Sequence, residues 1–223
     1  FRSAAPRPPM SEPPVPAEAS GGELDWHRIL DEKNVGVLKW ATYIFIPIYT
    51  AWTFFDWLLA PAHWSYFLML RLGAAAVGLV SYALVRRSRA PNRHIVGFWV
   101  LFFNWGAFVA PMLPKTGEAF LPYTLGLCIV IFGTAAMPTW SPRWAVSNLL
   151  ATGVAVILAF LVWPSDIATI ELITAGFFVT SVMAVSAFAA MFKFDVTRKE
   201  ILGQLALRAE QQTSERLREA ERD

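Results

Sequence analysis

Six long apolar runs follow one another along the chain, separated by short segments that contain Pro or charged residues. Each run is close to the ~20 residues with which a helix crosses ~30 Å of hydrocarbon. Backbone groups cannot bond to water inside a bilayer, so runs of this length are expected to be helical. The pattern predicts an all-α polytopic membrane protein, with a six-helix transmembrane bundle over 35–192. The six predicted spans are 35–59, 64–85, 95–113, 118–137, 144–163 and 167–192.

The segment before the first span has a different composition. Residues 1–22 are rich in Pro, Ala, Ser and Gly, which predicts a disordered N-terminal segment because so few apolar side chains can be buried. Over 23–34 a short amphipathic helix at the membrane surface is predicted, because Trp26 and Leu30 recur on one side. An ordinary polar lead-in to the first span is the alternative.

Residues 193–223 form a charged, helix-favouring tail. Apolar residues lie near a heptad spacing, but the stripe fades after Ala209, so a coiled coil of the tail alone would be weak. A signalling-type helix that carries an output into the cytoplasm is one interpretation, and a solvated helix that only ends the chain is the other. The predicted output residues are Phe194, Asp195, Arg198, Ile201 and Leu205.

Composition agrees with a membrane location. Hydrophobic residues make up 56% of the chain and charged residues 16%, whereas charged residues are about a quarter of an average soluble domain. A formal net charge of +2 gives no reason to expect a nucleic-acid partner. With a single cysteine, Cys128, neither an internal disulfide nor a cysteine metal site is expected.

The distribution of Lys and Arg predicts the orientation. Arg86, Arg87, Arg89, Arg93, Arg143, Lys193, Arg198 and Lys199 all fall on one side of the predicted spans. Across the membrane only Lys115 is found. The positive-inside rule then places both termini in the cytoplasm, for a protein integral to the cell (inner) membrane.

Asp56 and Arg71 are the sharpest candidate site within the predicted spans. Both lie a few residues from the turn between the first two spans, at depths from which their side chains reach each other. An unpaired charge in hydrocarbon is costly, so the two are expected to pair. The pair is interpreted either as part of a ligand pocket or ion gate, or as a static clamp between neighbouring helices.

Other polar and aromatic residues within the spans are weaker candidates. Asn104 and Trp105 lie in the middle of the third span, where an amide usually bonds across helices. Pro47 and Pro122 are expected to kink their helices and open space near Tyr49 and Tyr123, which gives either a small-molecule pocket or ordinary kinks.

Catalytic chemistry is not indicated. His27, His63 and His94 lie at or beyond span ends, which disfavours haem ligation, and Lys193 is too far along the last span for a retinal site. The chain has no phosphate-binding loop, serine-hydrolase elbow or zinc-protease motif. We therefore expect no cofactor, no metal and no enzymatic activity in these residues.

The order of the spans and their exit resemble the six-span membrane input domains of bacterial histidine kinases, diguanylate cyclases and class III adenylyl cyclases. The resemblance covers residues 35 to about 215. It rests on the closely spaced spans, on Tyr123-x-x-Gly126-Leu127 with Pro138 at the far end of that span, and on the exit FDVTRKEILGQLALRAEQ. In those families a charged juxtamembrane segment leads into a signalling helix that feeds a catalytic domain. The resemblance implies an effector outside these residues, or a protein that works without one.

The first functional hypothesis is a dimeric membrane sensor that relays a signal through the tail. The expected stimulus is a lipid, a small apolar molecule or another membrane protein. The alternative is a non-catalytic structural or accessory subunit of a larger membrane complex. A transporter ranks third, because the interior is poor in polar residues and no inverted repeat is evident.

Overall fold

The computed structural model describes residues 17–90 and 92–220, and these residues form helices and turns without a strand. Two 3-10 turns, Ala110–Lys115 and Gly117–Ala119, join the fourth and fifth helices. The α-helices are α1 (Ala17–Ala51), α2 (Thr53–Leu59), α3 (Trp64–Arg87), α4 (Arg93–Val109), α5 (Phe120–Ala136), α6 (Pro142–Val162) and α7 (Thr169–Ala220). The predicted all-α class is confirmed.

Within the described ranges, five helical segments are long and apolar enough to cross a membrane. They correspond to the second to sixth predicted spans: Trp64–Arg87, Arg93–Lys115, Gly117–Ala136, Pro142–Val162 and Thr169–Ala220. The predicted first span, 35–59, is instead divided between α1 and α2 around Trp52. Lys39, Pro47 and Asp56 leave this part of the chain less uniformly apolar than the others.

The N-terminal part of α1 departs from the prediction. The helix begins at Ala17, inside the segment predicted to be disordered, while residues 1–16 lie outside the described residues. The predicted surface helix is the first part of α1 and is not separate from it. Its apolar side packs on α7, with the rings of Trp26 and Phe194 5.8 Å apart and Ile201 in the same cluster. An amphipathic pattern shows that one side is covered, but not by what.

Helix α4 occupies the centre of the bundle and packs on α1, α3, α5 and α6. Its buried side chains include Phe98 and Phe102. Two glycines allow the close approach of its neighbours. A Cβ at Gly97 would lie 2.7 Å from Leu38 and from Val85, and a Cβ at Gly106 would lie 2.6 Å from Thr152. Small residues at helix contacts let backbones come together in this way.

Helix α7 is a single helix of 52 residues, which corresponds to a length of about 78 Å at about 1.5 Å per residue. Its first part packs on α5 and α6, and it also contacts α1. Every residue from 206 to 220 is exposed. The helix therefore continues out of the bundle, at what we call the tail end, without a break at the predicted boundary between 192 and 193.

A buried amide joins α1 to the connection between α5 and α6 at the tail end. The Asn34 side chain donates from Nδ2 to the carbonyl of Thr139 at 2.7 Å, and Thr139 N–H donates to Asn34 Oδ1 at 3.0 Å. Asn34 is 1% exposed. Both polar ends of the amide are thus satisfied by backbone groups of a distant segment.

Replacing Asn34 by Ala should destabilise the bundle by about 2–3 kcal/mol, because the peptide groups of Thr139 then lose their buried partners. Unfolding of the purified protein in detergent measures the effect. The exposed Glu32, half a turn earlier on α1, provides the control, and Glu32→Ala should change stability by about 0.5 kcal/mol or less. Equal losses in the two variants would contradict the role given to Asn34.

Candidate functional site

Helix α2 turns its polar side inward. Asp56 is its one buried residue, with 0% exposure, whereas the large apolar side chains of this short helix are all exposed. These side chains are Phe54, Phe55, Trp57, Leu58 and Leu59. Apolar residues on the outside and a carboxylate on the inside are the arrangement expected where the surroundings are lipid.

Arg71 lies on α3 and forms a bidentate pair with Asp56. Its Nε donates to Oδ2 at 2.5 Å and its Nη2 to Oδ1 at 2.8 Å. A weaker bond runs from Nη1 to the carbonyl of Tyr49 at 3.4 Å. With Arg71 only 3% exposed, both charges are buried. The two predicted charges therefore meet, in the geometry that makes an arginine–carboxylate pair strongest.

Two tyrosines complete the cluster. Tyr123, on α5, donates its hydroxyl to Asp56 Oδ1 in a short hydrogen bond. The Tyr49 ring, on α1, stands 4.8 Å from the guanidinium carbon of Arg71, within cation–π range. The carboxylate thus accepts three hydrogen bonds and the cluster carries no net charge, which lowers the cost of burying it.

A cavity of about 110 Å³ adjoins this cluster. It lies between α1 and α5, with α4 behind it. Its lining includes Ile48 and Ile129, which are 55% and 61% exposed, so the cavity is open on the side of the bundle. The lining residues are Phe45, Ile48, Tyr49, Trp52, Arg71, Phe102, Trp105, Val109, Tyr123, Gly126, Ile129, Val130 and Gly133. The lining is mostly apolar and includes the polar side chains of Tyr49, Arg71 and Tyr123.

The predicted candidates divide into two groups. Asp56, Arg71, Tyr49, Tyr123 and Trp105 all border the cavity or its ion pair. Asn104 lies elsewhere: its Nδ2 donates to the carbonyl of Ala74 on α3 at 2.8 Å. This bond links two helices, which is the role expected for an amide in the middle of a span.

Sequence reasoning missed much of the cavity wall. Phe45, Trp52 and Phe102 look like any other apolar residues of a membrane helix, and no spacing distinguishes them. The glycines on α5 gave a partial signal. Gly126 is part of the Tyr123-x-x-Gly126-Leu127 motif, and a Cβ there would meet no atom within 4 Å, because the cavity lies in front of it.

The predicted output residues start where α7 leaves the bundle. Phe194, Ile201 and Leu205 pack with Trp26 and Leu30 of α1. The guanidinium of Arg198 lies 5.9 Å from the Trp26 ring. Asp195 is exposed and pairs with Lys199 one turn further on, at 2.7 Å. Three of these residues thus join α7 to α1, and Arg198 extends the same contact.

Lys193 makes a second junction that the sequence did not indicate. Its Nζ donates to the carbonyl oxygens of Ala136 and Met137 at 2.6 and 2.9 Å. These are terminal carbonyls of α5, which have no partner inside their own helix and attract a cation. Helix α5 therefore carries Tyr123 near one end and the Lys193 contact at the other, about 20 Å away at about 1.5 Å per residue.

The bundle of apolar helices thus has a cavity beside a buried ion pair and one long helix that projects from it. The family model MASE8 matches residues 54–217, and the chain belongs to this family. MASE domains are membrane-associated sensor domains of signalling proteins. This confirms, at that level, the expectation drawn from the six-span input domains. No curated protein and no solved structure matches the chain.

Removing one member of the ion pair should be more damaging than removing both. Asp56→Ala should lower stability by about 3–5 kcal/mol, because Arg71 is then left buried and unpaired. Arg71→Met should have a similar effect. The double variant should lose clearly less than the sum, as measured by unfolding of each protein in detergent.

The exposed pair Asp195–Lys199 serves as the matched control. Both side chains are more than half exposed, so the same cycle with Asp195→Ala and Lys199→Ala should show a coupling below about 1 kcal/mol. Additive losses at Asp56 and Arg71 would show that the two charges do not stabilise each other.

Proposed function

We propose that this chain is the sensory input module of a membrane signalling protein, and that α7 relays a change at the cavity to a cytoplasmic effector. The observation that carries the proposal is that both walls of the cavity are tied to α7 at the tail end. Helix α1 is tied through Trp26 and Phe194, and α5 through Lys193. A change in the separation of α1 and α5 would then reach α7 where it leaves the bundle.

The orientation proposed from the basic residues fits this role. With Arg86, Arg143 and Lys193 on the cytoplasmic side, α7 would emerge into the cytoplasm of a cell whose inner membrane holds the bundle. A relay of this kind needs a second copy, because a lone helix can only move its attached domain as a whole. We place that copy along α7, whose apolar positions Phe177, Phe188 and Phe192 are all exposed.

A fusion to the catalytic domain of a class III adenylyl cyclase tests the relay, because two such domains must meet to form the active site. Tyr123→Phe removes the bond from α5 to Asp56, and Lys193→Met removes the junction of α5 with α7. Each should change cyclase activity in membranes by about fivefold or more. The controls Tyr43→Phe and Lys39→Met alter exposed residues of α1 and should leave activity unchanged.

Unchanged activity of Tyr123→Phe and Lys193→Met, with an intact bundle, would remove both residues from the relay. The same preparations address the alternative of an accessory subunit. A sensor should purify from mild detergent as a pair of identical chains, whereas an accessory subunit would bring other proteins with it in fixed stoichiometry.

The helical phase of the tail gives a second test. Inserting one to four alanines after Ala209, in the exposed part of α7, rotates the effector by about 100° per residue. Cyclase activity of the fusion should rise and fall with this rotation, and a seven-residue insertion should restore it because two turns are nearly complete. A steady decline with length, without recovery at seven residues, would mean that α7 is only a tether.

A further inference from the structure

Two buried hydrogen-bond donors beside the cavity have no partner among the described residues. They are the indole Nε1 of Trp105 and the hydroxyl of Tyr49. Trp105 is only 2% exposed, and both residues line the cavity with their rings stacked at 18°. Buried donors are nearly always satisfied, so two unpartnered donors beside one cavity are candidates to meet an acceptor supplied by a ligand.

We propose that the cavity binds a neutral, bilayer-soluble carbonyl compound of the quinone type, whose oxygen accepts a hydrogen bond from Trp105 or Tyr49. The role of this ligand as the stimulus rests on the proposed function. The binding site itself is inferred from the cavity alone. The ion pair indicates the charge of the ligand, the cavity lining indicates its shape, and the exposed apolar residues at the opening indicate its route of entry.

The charge of the ligand follows from the ion pair. Arg71 borders the cavity, but two of its nitrogens are already bonded to Asp56 at 2.5 and 2.8 Å. A carboxylate or phosphate would have to compete with Asp56 and would leave a surplus negative charge in an apolar bundle. A neutral acceptor uses the free donors without disturbing the pair.

The shape follows from the lining. The volume of about 110 Å³ is close to that of the engineered apolar cavity of about 150 Å³ that holds a benzene ring. Phe45, Phe102 and the Tyr49–Trp105 stack surround it with aromatic faces. A single flat ring fits such a space, since aromatic rings attract one another in offset or edge-on packing.

The route of entry is lateral. Ile48 and Ile129 border the cavity from α1 and α5, and both are exposed on sides of the bundle that carry other large apolar side chains, such as Ile44 and Leu125. A ring dissolved in the bilayer could pass between them, and a hydrocarbon tail would remain among the lipids. A water-soluble ligand would find no polar approach on this side.

Saturable binding of 2-decyl-1,4-benzoquinone to the full chain in lipid nanodiscs tests the site, with quenching of tryptophan fluorescence as the readout and equilibrium dialysis as the check. Gly126→Leu adds a side chain at the cavity wall, where a Cβ meets nothing within 4 Å, and should abolish binding by filling the space. Tyr49→Phe should weaken binding by about fivefold, as expected for one lost hydrogen bond. Gly36→Leu and Tyr43→Phe, away from the cavity, should bind as the wild type does.

Two analogues test whether the site requires a carbonyl group and whether it excludes a charged ligand. Decylbenzene has the ring and tail without the carbonyls, and decanoate has the tail with a charge; both should bind at least about tenfold more weakly than 2-decyl-1,4-benzoquinone. Equal binding of decylbenzene, preference for decanoate, or undiminished binding by a Gly126→Leu protein that unfolds like the wild type would overturn the proposal.

The cyclase fusion separates this inference from the proposed function. 2-Decyl-1,4-benzoquinone should change the activity of the wild-type fusion and leave the Gly126→Leu fusion unaffected. Binding without any change in activity would overturn the ligand's role as stimulus. A fusion that obeys the helical-phase test but shows no binding would overturn the quinone site and leave the relay standing.

Discussion

Placing Asp56 and Arg71 inside an apolar bundle is costly. The structure offsets this cost with three hydrogen bonds to the carboxylate, two from Arg71 and one from Tyr123. Doing so brings together α2, which carries the acid, α3, which carries the base, and α5, which donates the Tyr123 hydroxyl. The backbone of α1 joins through the Tyr49 carbonyl. Four elements are held at one point, and the cavity is the space left beside that point because α1 and α5 do not close over it.

The opposite end of the bundle is held by several separate contacts, which include the pair formed by the buried His94 of α4 and Asp31 of α1 at 2.5 Å. Asn34 bonds to Thr139, Lys193 closes the end of α5, and Trp26 packs on Phe194. No group of the ion pair is shared with this end. Helices α1 and α5 both border the cavity, and both continue to this end of the bundle, where they contact α7.

Much of this could be predicted from the sequence, because bilayer physics leaves few options. Apolar runs of about 20 residues must be helices, and two opposite charges near one turn must meet. The sequence did not predict which partner covers the apolar side of the amphipathic first part of α1. Trp26 and Leu30 could face lipid or protein with the same pattern, and they face α7. The cavity wall also gave little signal, since Phe45 and Phe102 differ in no way from lipid-facing residues until their neighbours are known.

The first predicted span shows a different limit of pattern reasoning. Length and mean hydropathy do not distinguish one helix from two helices in succession, and α2, which follows Trp52, carries Asp56 on its buried side. Asp56 is one of the residues that make the first predicted span less uniformly apolar than the others. The same residue joins α2 to α3 through its ion pair with Arg71.

The unbroken course of α7 has a mechanical consequence. Its last described turns extend about 40 Å beyond Phe194, at about 1.5 Å per residue, with no contact to the bundle after Leu205. A rigid rod of that length is a lever with its pivot at the Trp26 and Lys193 contacts. A tilt of about 10° at the pivot would move the far end by about 7 Å.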